Sequence, residues 1–454
     1  MPYIPATPKE RELMLRKIGA GDVSELFAVI PEKSRLGTDL FVPGPETELE
    51  ILAYFRNLAR ENLNLEDYAC FLGGGVYDHF IPEAVSTIPQ RSEFYTSYTP
   101  YQAEVSQGML QAIYEYQTFV CRLTGMDVSN ASMYDGATAL AEAAIMACDT
   151  VDRDEILVSR AVNPSYRATL ATYVSGMGLR VREIPIRDGV TDVAAMAAMV
   201  SESTGAVLLQ QPNFFGCIEA AKQIGETAKA KGAMFVVSAD PISLGMLVPP
   251  AEYGADIVTG EGQSLGIPPA FGGPLLGIFA TKMKHVWRLP GRLVGATVDT
   301  EGRRGFVLTL QTREQHIRRE RATSNICTNQ TLMALAAAVY VSALGRNGFR
   351  QVSNLCFQKA HYAREQLRIA GVEPLWNAPF FQEFAVRLPA PAEELNVELL
   401  RHNVLGGLPL EAYYPELKDC MLLCVTEKRT KQDIDRLVSV VKEYVQQQVR
   451  AAHI

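Results

Sequence analysis

Apolar residues recur along this chain with two periods, and the period changes where the architecture should change. From Gln102 the positions Val105, Met109, Ile113, Tyr116, Val120 and Leu123 repeat every three or four residues and end at Gly125, which predicts a long helix buried along one face. From there to about residue 280 short β-branched runs alternate with helical stretches. The predicted strands are Glu155 to Ser159, Leu179 to Ile184, Ala206 to Gln210 and Ala233 to Ser238. Helix signals lie between them: Asn163-Pro164 as cap and first turn, Lys231-Gly232 as a stop. Strands buried on both faces and separated by helices predict a mainly parallel, doubly wound sheet, which binds ligands at the carboxyl ends of its strands.

Either side of this core the texture differs. Thr7-Pro8-Lys9-Glu10 reads as a capping box opening a helix that runs to about Gly19, and a second helix follows Pro45. Phe71-Leu72-Gly73-Gly74-Gly75-Val76 is either a backbone approach to a ligand or a tight loop needing positive φ. Past residue 345 the chain predicts a helix near Asn354 to Ala370, strands in FQEFAVRL and LLCVTE, and a closing helix from Lys431 to Gln448. These readings divide the chain into an N-terminal helical arm (1–70), a large domain (71–345) and a smaller α+β domain (346–454).

Composition narrows the function classes. The 454 residues carry a net charge of −8, which argues against a general nucleic-acid binder. The opening MPYIPATPKERELM lacks a basic region followed by an apolar run, and no stretch reads as a membrane span, so a cytoplasmic location is expected. The eight cysteines form no zinc pattern, and Cys420 and Cys424 in CMLLC read as buried thiols.

Three motifs bear on chemistry. Tyr134-Asp135-Gly136-Ala137-Thr138 enters an alanine-rich helix, and such a start offers backbone N–H groups and a hydroxyl to phosphate. An apolar strand ends in Gln211-Pro212-Asn213-Phe214-Phe215-Gly216, and another ends in Asp240, a residue that can pair with a protonated ring nitrogen or cap the next segment. This order is similar to that of the aspartate-aminotransferase-like class of pyridoxal-phosphate enzymes, in which a Schiff-base lysine follows the aspartate. Here no lysine occurs from Asp240 through Thr281, and Gln263 in Gly262-Gln263-Ser264 stands in its place. A carboxamide cannot form an imine, because its nitrogen lone pair is delocalised into the carbonyl. Lys282 and Lys284, after the run LLGIFA, read as solvated surface charges.

FLGGGVYDHFIPEAV from Phe71, YTSYTPYQAEVSQG from Tyr95, SNASMYDGATALAEA from Ser129 and QTREQHIRRERATSNICTNQ from Gln311 carry a longer resemblance. Essentially end to end, the chain resembles the P-protein family of the glycine cleavage system, in the split form whose α chain (subunit 1) lacks the lysine carried by the β chain. The resemblance implies an aspartate-aminotransferase-like α/β fold (type I). It implies an αβ or α₂β₂ assembly that decarboxylates glycine and passes the aminomethyl group to the lipoyl arm of the H-protein, with pyridoxal phosphate held by β. In this chain it leaves a degenerate pocket of Gly136, Ala137, Thr138, Asn213, Asp240 and Gln263, with no covalent cofactor and no metal. Alternatives are a stand-alone pyridoxal-phosphate lyase or aminotransferase, and a regulatory subunit that binds its ligand without catalysis.

Tyr95, Tyr98 and Tyr101 either present phenols to a neighbouring active site or only pack at an interface. His79 beside Asp78 is either an acid–base pair or a structural histidine. The run Arg313, His316, Arg318, Arg319 and Arg321 is interleaved with Glu314 and Glu320. It is either a charge-laced helix surface with a Glu314–Arg318 pair or a docking patch.

Overall fold

The computed structural model describes residues 6–38, 40–95, 99–270 and 272–452, in two compact units, Met1–Leu63 and Asn64–Ile454. In the first unit, helices α1 (Pro8–Ile18) and α2 (Glu48–Arg60) both open with capping boxes, Thr7 with Glu10 and Thr47 with Glu50.

The second unit is built on a seven-stranded sheet: β1 (Val128–Ser129), β2 (Glu155–Ser159), β3 (Arg180–Ile184), β4 (Thr204–Gln211), β5 (Met234–Ala239), β6 (Ile257–Glu261) and β7 (Gly277–Thr281). Their spatial order is β1-β7-β6-β5-β4-β2-β3. The five strands from β6 to β3 are parallel, and β7 runs antiparallel to both of its neighbours. The expected strands match to within one or two residues at each end, because β-branched runs bounded by turn residues need no tertiary information to be read.

Alternation sorts the side chains of each strand onto two faces. Leu157, Val207, Leu209, Phe235, Val237 and Val258 enter one core with Tyr116 and Val120 of α3 (Gln107–Thr124). Ile156, Val158, Ala206, Leu208, Val236 and Phe279 enter the other, against Ala139, Leu140, Ala143 and Ala147 of α4 (Gly136–Val151). Helices on both faces make the sheet doubly wound. Two further helices, α5 (Pro164–Val174) and α6 (Ala221–Ala230), open and close where Asn163-Pro164 and Lys231 predict.

Two boundaries differ from the pattern. Val105 is exposed in a 3₁₀ turn, and α3 starts only at Gln107. The helix expected near Asn354 begins instead at Thr331: α7 (Thr331–Ile369) contains Gly345 at φ 59°, which breaks it in two. Its alanine-rich first half escaped the periodicity because Ala334, Leu335, Ala336, Ala337 and Ala338 are all buried, leaving no polar face to mark a period. By length and composition α7 passes for a membrane span, contrary to the sequence reading, but its apolar half packs in the core formed with α3 and the sheet.

The C-terminal part adds a three-stranded antiparallel sheet of Glu383–Arg387, Cys420–Cys424 and Leu408–Pro409, covered by α8 (Ala392–Arg401) and α9 (Lys431–Ala452). Ala69–Cys70 pairs with Val404–Leu405, tying the glycine loop that follows to this part. Cys420 and Cys424 are buried free thiols.

Candidate functional site

Strands β4, β5 and β6 end at one edge of the sheet, where the parallel fold places its ligands. The start of α4 lies there too, and the Gly136 and Thr138 N–H groups of that start already have partners. Asp135 is the cap: Thr138 N donates to its Oδ1 at 2.7 Å, and the Thr138 hydroxyl donates to its carbonyl, so this hydroxyl belongs to a capping box and does not face outward. Gly136 N donates to Glu261 Oε2 at 2.9 Å. Glu261 Oε1 also accepts from Gln263 N at 2.9 Å and Leu276 N at 2.8 Å. One internal carboxylate thus sits where a phosphate would meet the helix N-terminus. Burial pushes it up to about 7 against the opposing pull of these three N–H bonds. A Cβ on Gly136 would overlap the Tyr166 hydroxyl and lie 2.9 Å from the ring carbon that bears it, so any larger residue there requires that ring to shift.

Gln263 is 1% exposed. Its Oε1 accepts from Tyr77 N at 2.8 Å, and its Nε2 donates to the carbonyls of Tyr77 at 3.0 Å and Ile267 at 2.6 Å. The side chain therefore splices the turn after β6 to the segment after the glycine loop. In that loop Gly74 and Gly75 have φ of 80° and 119°, and a Cβ on Gly73 would lie 2.7 Å from that of Cys424, so both the positive φ and the close approach are real. The approach is to protein, however.

Asp240 Oδ1 accepts from Ile242 N at 3.0 Å, capping the following turn, and Oδ2 accepts from Gln382 Nε2 at 3.2 Å. Burial raises it to about 6 despite the opposing charge of His79. Glu383, which the sequence reading missed, is buried and accepts from Gly74 N at 2.6 Å and the Tyr77 hydroxyl at 2.8 Å. Burial raises it to about 7, with the Asp240 carboxylate adding to the effect. Among the described residues, no lysine or arginine forms a salt bridge with Asp240, Glu261 or Glu383.

Asn213 does not join this group. Its Nδ2 donates to Gly189 O and Glu219 Oε1, both at 2.8 Å, and its Oδ1 accepts from Phe215 N and Cys217 N, so its bonding capacity is spent on its own loop and the neighbouring turn at Gly189.

The remaining candidates fall elsewhere. Tyr98 lies outside the described residues. Tyr95 is exposed, and Tyr101, also exposed, accepts from Arg292 Nη2 at 3.1 Å. His79 does not pair with Asp78. Its Nδ1 lies 2.7 Å from Glu427 Oε2, whose other oxygen accepts from Phe80 N, while Asp78 pairs with Lys428 and Arg429 at 2.8 and 2.6 Å. Cys356 Sγ also donates to Glu427 Oε2, at 3.3 Å.

Lys282 is not a free surface charge but bonds Asp256 at 2.6 Å; Lys284 is exposed. The basic run is broken into 3₁₀ turns, Gln311–Arg313 and Arg319–Arg321, flanking a short α-helical turn, Gln315–Arg318. Glu314 caps that turn with extended backbone and lies 3.6 Å from His316, so the expected Glu314–Arg318 pair is absent; Arg318 instead donates to Thr312 O.

Comparison with known proteins fits this geometry. Residues 1–441 match the family model described as glycine cleavage system P-protein. The chain is 53% identical over 440 residues to the probable glycine dehydrogenase (decarboxylating) subunit 1 of Desulforamulus reducens, covering 97% of this chain and 99% of the relative. It is 51% identical to the protein of that name from Carboxydothermus hydrogenoformans, over 97% and 99% of the two chains. A crystal structure of glycine decarboxylase (P-protein) of the glycine cleavage system, in inhibitor-bound form, superimposes with a TM-score of 0.89 at 45% identity, covering 98% of this chain and all of that one. A NifS-like protein shares the fold alone, with a TM-score of 0.62 at 12% identity over 84% of this chain and 99% of that one. With the matched residues spanning nearly the whole length, the chain belongs to the glycine cleavage system P-protein family.

Proposed function

We propose that this chain is the α subunit, subunit 1, of a two-chain glycine decarboxylase, and that the assembly decarboxylates glycine and hands the aminomethyl group to the lipoyl arm of the H-protein. The observation that carries the assignment of roles is the state of this chain's own pocket. Pyridoxal phosphate would bring an aldehyde for a lysine, an electron-withdrawing ring and a phosphate. The residues here do not fit it. Gln263 has no nucleophilic amine, and its amide is spent on two segments of backbone. Glu261 occupies the helix start and holds the N–H groups of Gly136, Gln263 and Leu276 that a phosphate would need.

The cofactor is therefore assigned to the β chain, and this chain contributes architecture and the surface against which β completes its site. The full-length match to relatives named as subunit 1 supports the pairing. Cytoplasmic location and an α₂β₂ stoichiometry belong to the same reading.

Co-expression with the β chain tests it. The purified pair is expected to exchange glycine carboxyl with bicarbonate in the presence of H-protein, and either chain alone is expected to be inactive. Borohydride should fix pyridoxal phosphate to β only. Full exchange activity from β alone, or fixation of the cofactor to this chain, would refute the assignment.

A further inference from the structure

Arg292 and Arg313 are 5% and 6% exposed, and among the described residues neither has a carboxylate hydrogen-bonded to it. Arg292 donates Nη1 to Asn329 Oδ1 at 3.2 Å and Nη2 to Tyr101 Oη at 3.1 Å and Cys327 O at 2.6 Å, leaving Nε without a partner. Arg313 donates Nη1 to Leu289 O, and among the described residues both Nε and Nη2 are without partners. These last two donors form one edge of the guanidinium, the edge that grips a carboxylate or phosphate with two parallel N–H···O bonds.

Glu314 acts on both arginines, and its Oε1 is itself buried without a hydrogen-bond partner among the described residues. Glu314 thus faces two guanidinium groups, and neither is hydrogen-bonded to it. Burial lowers the Arg313 guanidinium and raises the Glu314 carboxyl, so the attraction between them does not make up for lost hydration. A bridging water could accept a hydrogen bond but brings no charge. Exposed side chains cover the spot: the Tyr101 ring lies over Arg292, 5.3 Å from its guanidinium carbon, and edge-on to His316 at 5.9 Å.

We propose that Arg313, with Arg292 beside it, is a seat for one oxyanion group, a carboxylate or a phosphate, entering past Tyr101 and His316. The inference rests on this chain's own residues and stands whether or not the subunit assignment does.

Calorimetric titration of the full chain with potassium phosphate, and separately with potassium acetate, at constant ionic strength, tests the seat. One saturable site is expected for at least one anion. Phosphate alone saturating identifies a phosphate group, and acetate saturating identifies a carboxylate. Arg313→Lys, which keeps the charge but lacks the fork, is expected to weaken binding about tenfold or more. Should Arg313→Lys fail to fold, Arg292→Gln is expected to show the same weakening. Absence of saturable heat with both anions, or wild-type affinity in a folded variant, overturns the proposal.

Discussion

Restoring the missing amine should not restore the site. In Gln263→Lys the new Nζ can still donate to the carbonyls of Tyr77 and Ile267, but Tyr77 N loses the acceptor it has at 2.8 Å. One buried N–H left without a partner costs about 1–3 kcal/mol. With an unfolding entropy of about 2 cal/mol/K per residue, a unit of this length loses roughly 1 °C of melting temperature per kcal/mol, so a drop of about 1–3 °C is expected. The larger barrier is at the helix start. A ligand phosphate must displace the Glu261 carboxylate from the N–H groups of Gly136, Gln263 and Leu276. At about 1.5–3 kcal/mol for each charge-assisted bond, displacement costs roughly 4–9 kcal/mol, or some three or more orders of magnitude in affinity. The assay is a titration of the purified variant with pyridoxal phosphate, following the absorption band of an imine near ~420 nm and its fixation by borohydride. No saturable band is expected in the micromolar range. A variant that retains a stable, reducible band at stoichiometric cofactor would refute the reasoning that Glu261 closes the cradle.

Other consequences are open to measurement. Burial tends to raise Glu427, yet the hydrogen bond and charge of His79 outweigh it and hold the carboxyl down to about 2 from an ordinary 4.5. A depressed folded pKa means stability that is full above pH 4.5 and lost as pH falls towards 2, by about 3 kcal/mol for such a separation. In Glu427→Gln the unfolding free energy, measured in urea across this window, should lose that slope; an unchanged acid limb would count against the pair. Asp78→Asn leaves the Arg429 guanidinium, 4% exposed, without its charge partner at 2.6 Å. A loss of about 3–5 kcal/mol is expected in the same assay, and a loss below about 1 kcal/mol would show that water or Lys428 compensates. At Gly216, with φ of 80°, an added Cβ would overlap the Glu383 carbonyl and lie 2.7 Å from the Glu383 Cβ. Gly216→Ala should therefore cost several kcal/mol and yield little folded protein, which soluble expression and circular dichroism would show.

What could be read from the sequence follows from how local each signal is. The strands of the large sheet, the α5 cap at Asn163 and the stop at Lys231 depend on a few adjacent residues, and they lie where the pattern puts them. Gln263 stood out in the sequence because the motif order around it is intact and no lysine occurs from Asp240 through Thr281. Its two hydrogen bonds to Tyr77 did not, since Tyr77 is 186 residues away. His79 and Glu427 are separated by 348 residues, so His79 was read against its neighbour Asp78. Glu261 left one usable trace: an acid between Gly260 and Gly262, at the ligand edge of a strand and two residues before the absent lysine. A carboxylate there conflicts with phosphate binding, and that conflict could have located it. The fork of Arg313 left none, because unpartnered donors exist only once the surrounding chain is in place.

The filling of the α4 start by Glu261 also bears on supply. A protein that binds its cofactor from solution is stabilised by mass action, so its abundance follows the cofactor's concentration. A chain whose cradle is closed from within gains nothing from that term. On the proposed assignment, its melting temperature is expected to stay unchanged when pyridoxal phosphate is added, whereas that of the β chain should rise.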